Sequence, residues 1–222
     1  MQFARTTRLH SSFASLRMTK TEITTETRIT QKKVKLKLES APEPAVPAME
    51  GKLDSTGRHF AIVVSRFNAF ITERLLLSAC DGLLRTGTKK RDITVVRVPG
   101  AFEIPLAART LALTKTYDAI ICIGCLLRGD TAHYDVIVNE VTRGIGQSAQ
   151  ETGVPHAFGV LTCDTLEQAI DRAGLKMGSK GFEAALAAVE MASLKTAISS
   201  QPSAVSKSKS RKPTTNSKKR RS

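Results

Sequence analysis

The chain has 222 residues, which is ample for a buried core and argues against a small disulfide-stapled scaffold. Its formal net charge of +14 is typical of nucleic-acid-binding or membrane-binding proteins, but most of that charge lies at the two ends. Residues 1–50 carry a net charge of +4, residues 51–198 carry +2 and residues 199–222 carry +8. The charge therefore says little about what the nearly neutral central block does.

The composition predicts one folded domain over residues 51–198. Residues 1–50 and 199–222 are rich in Ser, Thr, Pro and Lys, which favours a disordered extension and a disordered basic tail. The longest apolar run, residues 119–127, has less than half of the roughly 20 residues that a membrane-spanning helix needs. Scattered cysteines indicate reduced thiols and hence the cytoplasm. The acid-poor start also resembles a transit peptide, so a plastid stays open as the alternative.

The central block alternates β-rich apolar runs with helical periodicity. In chain order, the pattern predicts strand 60–65, helix 71–85, strand 92–98, helix 102–113, strand 117–124, helix 132–151, strand 156–162, a helix that Thr165 caps and that runs through Arg172, and helix 182–198. Four almost continuously apolar strands that alternate with helices indicate a parallel sheet covered on both faces. The predicted fold is a three-layer α/β/α arrangement around a doubly wound, flavodoxin-like, four-stranded parallel sheet.

Ligands of such sheets bind outside the carboxyl ends of the strands. One of these ends carries Gly129 followed by Asp130, Thr131 and Ala132, which are predicted to open a helix. The unpaired N–H groups and positive dipole there suit a phosphate, although a plain N-cap explains the same residues equally well. His133 is the one histidine of four that is placed at the mouth of this region, where it would serve as a proton shuttle.

Four further side chains near the strand ends have two readings each. Phe67 lies in a polar turn, where it would stack on a flat heterocycle or pack within the loop. Glu103 would accept hydrogen bonds from ligand hydroxyls or complement a helix dipole. Arg172 and Lys180 flank a glycine-containing loop, where they would receive a phosphate or remain as solvated surface charge.

Other chemistries have no motif in this chain. The sequence lacks a phosphate-binding G-x-x-x-x-G-K-[ST] loop, a dinucleotide-binding G-x-G-x-x-G turn and a clustered metal-ligand set. Cys122 and Cys125 form a C-x-x-C pair, but they lie inside an apolar run and are predicted to be ordinary buried strand cysteines. These absences argue against nucleotide hydrolysis, dinucleotide binding and metal-dependent catalysis.

The same regions resemble the 6,7-dimethyl-8-ribityllumazine synthase family of riboflavin biosynthesis over roughly residues 55–198. Five stretches in order carry the resemblance: IVVSRFNAFITERLL (62–76), VPGAFEIPLAA (98–108), GCLLRGDTAHYDVIVNEVTRGI (124–145), GVPHAFGVLTCDTLEQAIDRAG (153–174) and KMGSKGFEAALAAVEMASL (176–194).

The resemblance implies condensation of 5-amino-6-(D-ribitylamino)uracil with 3,4-dihydroxy-2-butanone 4-phosphate, without a cofactor. It implies His133 as the proton donor and acceptor. The implied contacts of the ribitylaminouracil are Phe67, Ala101, Phe102, Glu103, Cys125, Leu126, Leu127, Phe158 and Lys180. The implied contacts of the butanone phosphate are Asp130, Thr131 and Arg172.

The resemblance also implies a shared site. Family members form homopentamers, some of which close into icosahedral shells, and Phe158, Arg172 and Lys180 would come from the neighbouring subunit. Two other functions remain open: an archaeal-type riboflavin synthase, and a polyanion-binding or nucleic-acid-binding protein. The second would use residues 207–222, which bind polyanions weakly and contain no aromatic residue for base stacking.

Overall fold

A computed structural model describes residues 48–175 and 178–201 of the chain. The predicted extension over residues 1–50 and the predicted tail over residues 199–222 lie almost entirely outside these residues. No helix within the described ranges is long and apolar enough to cross a lipid bilayer.

The predicted strands and helices are all present, with small shifts at their ends. The regular elements are β1 (Phe60–Ser65), α1 (Ala69–Arg85), β2 (Ile93–Val98), α2 (Ile104–Leu113), β3 (Ala119–Leu127), α3 (His133–Thr152), β4 (His156–Cys163), α4 (Leu166–Ile170) and α5 (Lys180–Ser199). Short 3-10 turns occupy Lys90–Asp92 and Ala101–Glu103, and a π-helical turn occupies Asp171–Leu175.

Three of these ends bear on the site. β3 runs three residues beyond its predicted end because Leu126 and Leu127 pair with Thr162 and Cys163 of β4. The helix predicted from residue 132 begins at His133, and the helix predicted from residue 182 begins at Lys180. The implied uracil contacts at the end of β3 therefore lie on a strand rather than in a turn.

The four strands form one parallel sheet in the order β2-β1-β3-β4. β1 pairs with β2 on one side and with β3 on the other, and β3 pairs with β4. The chain winds outward in both directions from the β1/β3 pair, which creates a crevice at the carboxyl ends of these two strands. The prediction of a doubly wound parallel sheet is confirmed.

Each face of the sheet carries its own apolar core. On one face, Phe60, Ile62 and Val64 of β1 pack with the buried residues of α1, α4 and α5. On the other face, Ala61 and Val63 pack with α2 and α3. This alternation follows from the two-residue period of a strand, since both sets of β1 side chains are completely buried. The result is the predicted three-layer arrangement.

The helix ends have local causes in the sequence. α1 ends just before Gly87, whose φ of 108° is accessible to glycine at little cost. The N-cap of α4 is Thr165, whose side-chain oxygen accepts the backbone N–H of Gln168 at 3.3 Å, as the sequence predicts. These two ends set the lengths of the loops that lead back to the sheet.

Candidate active site

A cavity of about 580 Å³ lies at the carboxyl ends of β1, β2 and β3. We call it the switch-point cavity because it spans the crevice between β1 and β3. Its wall consists of Phe67, Asn68, Gly100, Ala101, Phe102, Glu103, Cys125, Leu126, Leu127, Gly129, Thr131, His133, Tyr134 and Ile137.

The switch-point cavity collects most of the residues singled out from the sequence. Nine of them line it: Phe67, Ala101, Phe102, Glu103, Cys125, Leu126, Leu127, Thr131 and His133. Asp130 lies between two lining residues, Gly129 and Thr131, but does not itself line the wall. Phe158, Arg172 and Lys180 lie elsewhere.

The turn that carries Phe67 is held by hydrogen bonds to the ends of two neighbouring strands. The backbone N–H of Phe67 donates to the carbonyl oxygen of Pro99 at 3.1 Å. Asn68 adopts a left-handed conformation with a φ of 58°, and its Nδ2 donates to the carbonyl oxygen of Cys125 at 2.9 Å. That hydrogen bond joins the ends of β1 and β3 across the crevice. The Phe67 side chain stays 68% exposed, so it is not a buried anchor of its loop.

Glu103 is oriented by the turn that precedes it. Its Oε2 accepts the backbone N–H of Gly100 at 2.8 Å, which is the helix-start role that the sequence left open. Among the hydrogen bonds of the described residues, this is the one contact of the carboxylate, so Oε1 remains available on the cavity wall. The helix-start contact does not exclude the hydroxyl-accepting role.

The start of α3 presents backbone donors to the cavity. Ala132 is the N-cap residue and makes no side-chain hydrogen bond, so the side chain of the cap covers none of the first N–H groups of the helix. The first N–H groups of a helix have no partner within it, and the dipole there is positive. His133, the first residue of α3, is exposed beside these donors. The arrangement suits an anion next to an imidazole.

A second cavity, of about 630 Å³, lies along β4 and the elements that come after it in the chain. We call it the edge cavity because β4 is an outer strand of the sheet. Its wall consists of Phe158, Gly159, Val160, Leu161, Thr162, Cys163, Gln168, Asp171, Arg172 and Lys180.

Two cations flank the edge cavity. Arg172 lies in the π-helical turn after α4 and is exposed. Lys180 opens α5 and bonds the carboxylate of Glu183. The next residue, Gly181, lets α5 approach α1 closely, because a Cβ there would lie 2.1 Å from the carbonyl oxygen of Leu75. A side chain at position 181 would therefore displace Lys180 from the cavity wall.

The buried surroundings of the strand cysteines make their thiols unreactive. Burial raises the pKa of Cys122 and of Cys125 to about 12. Burial also raises the pKa of Cys163, although the charge of Arg172 opposes this rise. All three are buried free thiols on strands, as the sequence predicts for the C-x-x-C pair. Their thiols stay protonated near neutral pH and serve as packing groups.

Comparison with known proteins identifies the family. The model of the family described as 6,7-dimethyl-8-ribityllumazine synthase matches residues 57–196. A curated protein of that name from Desulfotalea psychrophila (strain LSv54 / DSM 12343) is 55% identical over 150 residues, which cover 68% of this chain and 97% of the relative. The chain belongs to the 6,7-dimethyl-8-ribityllumazine synthase family. The resemblance found in the sequence is thereby confirmed.

Both cavities fall inside the part of the chain that matches the lumazine synthase family. They share no lining residue. Each exposes aromatic surface: the side chains of Phe67 and Phe102 in one are 68% and 56% exposed, and that of Phe158 in the other is 45% exposed. A single chain thus holds the residues that the resemblance implies for the site in two open groups.

Several residues of the cavity walls were not predicted from the sequence. Asn68 had a usable signal, since asparagine tolerates the left-handed conformation before a helix. Ile137 had another, because it lies four residues after His133 and thus on the same face of α3. Gln168 and Asp171 have no comparable signal. Their position depends on how the π-helical turn packs against β4.

Proposed function

We infer that this transferase condenses 5-amino-6-(D-ribitylamino)uracil with 3,4-dihydroxy-2-butanone 4-phosphate to form 6,7-dimethyl-8-ribityllumazine, the penultimate step of riboflavin biosynthesis. The observation that carries the inference is that the switch-point cavity gathers an exposed aromatic ring, a held carboxylate, an uncapped helix start and a histidine within the family-matched residues. No contact in the described chain favours the archaeal-type riboflavin synthase or a nucleic-acid-binding protein.

The switch-point cavity would receive the ribitylaminouracil. The exposed ring of Phe67 offers a face on which the flat pyrimidine stacks. The backbone of Cys125, Leu126 and Leu127 at the end of β3 provides donors and acceptors for the edge of the uracil. Oε1 of Glu103 is available to accept from the ribityl hydroxyls, with Ala101 and Phe102 alongside the chain.

The butanone phosphate would bind at the start of α3. Backbone N–H groups of the turn with Asp130 and Thr131 and the positive helix end attract the phosphate. Arg172 would complete this pocket with a charge-assisted, bidentate contact. A cationic phosphate pocket also stabilises the phosphate as it leaves.

His133 would transfer the protons of the reaction. The amine attacks the ketone, whose oxygen leaves as water to form an imine; removal of a carbon-bound proton then expels phosphate, and the ring closes with loss of a second water. Each step moves a proton to or from nitrogen, oxygen or carbon. A histidine is suited to both directions near neutral pH. Because an amine and a ketone already react with each other, orientation by the cavity supplies much of the rate enhancement.

The site would be completed between two subunits of a homopentamer. Phe158, Arg172 and Lys180 line the edge cavity, whose strand has no outer partner among the described residues. Packing this edge against the switch-point cavity of a second copy would bring Arg172 to the phosphate, bring Phe158 and Lys180 to the ribitylaminouracil, and cover the exposed aromatic rings. Measuring the size of the assembly would distinguish a free pentamer from an icosahedral shell of pentamers.

The free thiols bear on the cellular compartment, and the basic tail bears on contacts with polyanions. Free cysteines suit the reducing cytoplasm. Residues 207–222 hold eight Lys or Arg and no acidic residue, so each copy would add a weak, salt-dependent polyanion contact. In a pentamer these contacts become multivalent. A deletion of residues 202–222 tests this proposal by loss of DNA retention at unchanged turnover.

The test of the function is turnover by the full-length chain. Purified protein mixed with both substrates in the presence of a chelator should form a fluorescent lumazine, and size measurement in the same buffer should give a multiple of the subunit mass. The variant His133→Gln should lower kcat by about 10²-fold to 10⁴-fold, because it removes the proton-transfer group. An intact assembly that makes no lumazine would overturn the proposal.

A further inference from the structure

Arg128 connects the two cavities within one chain, although it lines neither of them. It directly follows β3, and its backbone N–H donates to the carbonyl oxygen of Cys163 at 2.9 Å. Its side chain reaches two carboxylates. Nε lies 2.8 Å from Oδ1 of Asp164, and Nη1 lies 3.1 Å and 3.2 Å from the two oxygens of Asp135.

These contacts enclose the turn that carries the reactive groups. Arg128 stands at one end of the turn and Asp135, in the first turn of α3, stands at the other. Thr131 and His133 lie between them. The Arg128 guanidinium also stacks on the ring of Tyr134, with Cζ 4.3 Å from the ring centroid, and that ring lines the switch-point cavity. The Arg128 guanidinium thus links the two ends of the turn.

The other carboxylate ties this turn to the edge cavity. Asp164 follows β4 and precedes Thr165, the N-cap residue of α4. α4 leads directly into the π-helical turn that bears Arg172. One guanidinium therefore fixes the start of α3 relative to the element that leads to the second cavity.

The contribution of these pairs to overall stability is expected to be small. The Arg128 side chain is 45% exposed, and both carboxylates are exposed. Exposed ion pairs add little to the free energy of unfolding. A planar guanidinium that bonds two carboxylates and stacks on a ring nevertheless defines a geometry that the single ammonium of a lysine cannot reproduce.

We propose that Arg128 is a positioning residue that holds the His133-bearing turn against β4 in the geometry needed for proton transfer. The inference rests on the proposed lumazine synthase activity. Arg128 acts through His133 and the start of α3 and does not itself touch the substrates. Small displacements of a reacting group have large kinetic consequences, so the role should appear in kcat.

The test is steady-state kinetics of full-length variants with both substrates. Arg128→Gln should lower kcat by about 10-fold to 100-fold while the KM for the ribitylaminouracil stays unchanged. Arg128→Lys should recover less than half of the lost kcat, because it restores the charge without the fork. The matched control is Arg109→Gln, which breaks an arginine–carboxylate pair with Glu151 whose arginine is also 45% exposed. That control should keep the wild-type kcat.

A double-variant cycle separates positioning from a general structural effect. If Arg128 acts through His133, Arg128→Gln should cost far less in a His133→Gln background than in the wild type. Equal costs in both backgrounds, an unchanged kcat, or full recovery by Arg128→Lys would overturn the proposal. An inactive wild-type chain would instead refute the proposed function. If Arg128→Gln does not assemble, Asp164→Asn, which weakens the same contact, replaces it in the cycle.

Discussion

The switch-point cavity and the edge cavity are built in opposite ways. The first is formed by three turns after neighbouring strands, and hydrogen bonds such as that from Asn68 to Cys125 close it within the chain. The second lies along a single outer strand, and the cations Arg172 and Lys180 form part of its wall. The chain therefore closes the first cavity by its own hydrogen bonds, whereas the two cations that are proposed to reach a neighbouring copy lie on an open edge.

The largest expected effect that separates the two cavities is on the phosphate substrate. Arg172→Ala should raise the KM for the butanone phosphate by about 10-fold to 100-fold, the equivalent of one charge-assisted contact. The KM for the ribitylaminouracil should change little, because that ligand is proposed to stack in the other cavity. Steady-state kinetics with each substrate varied in turn measures both constants.

The control for this variant is Arg85→Ala, at the end of α1, where an exposed arginine pairs with Asp81 away from both cavities. It should leave both KM values at the wild-type level. An Arg172→Ala enzyme with an unaltered KM for the butanone phosphate would remove Arg172 from the phosphate site.

The next effect concerns the closure of the switch-point cavity. Asn68→Ala loses the hydrogen bond to Cys125 and places alanine, which tolerates a φ of 58° less well than asparagine, at this position, so the free energy of unfolding should fall by about 1–2 kcal/mol. Asn68→Gly loses the same bond but accepts the conformation, so it should lose less. Urea unfolding at one fixed protein concentration compares them. Equal stability of the three proteins would show that the closure is unimportant.

The smallest effect is a pH dependence outside both cavities. His156 is partly buried, with Nδ1 donating to the carbonyl oxygen of Val154 and Nε2 accepting from Ser148. Burial lowers the pKa of His156 below its ordinary value near 6.5. The unfolded chain therefore takes up this proton first, so stability should be constant above about pH 6.5 and fall as the pH drops below it.

Unfolding measured from pH 8 to pH 5 tests this expectation, with His156→Gln as the comparison because it cannot titrate. The variant should lose part of the slope below pH 6.5. An identical slope in both proteins would assign the pH dependence to other groups.

The fold was predictable because its signals are local. Apolar runs such as residues 60–65 and the cap at Thr165 depend on neighbours in sequence, and both occur as predicted. The clustering of Phe67, Glu103 and His133 was also predictable, since parallel strands end at one edge of a sheet.

Other features depend on contacts between distant residues. The extra length of β3 comes from pairing with β4. The bonds from Arg128 to Asp135 and Asp164 join residues 7 and 36 positions apart. No periodicity in the sequence reports such contacts, so the structure was needed to find them.

The central claim, that one site combines the two cavities of neighbouring copies, is tested most directly by complementation. His133→Gln disables the switch-point cavity and Arg172→Ala disables the edge cavity, so each variant alone should be nearly inactive at a limiting concentration of butanone phosphate. When the two are co-assembled in equal amounts, about a quarter of the sites should pair two intact cavities and recover about a quarter of the wild-type rate. Homo-oligomers mixed without subunit exchange serve as the control. Co-assembled enzyme no more active than that control would contradict the shared site.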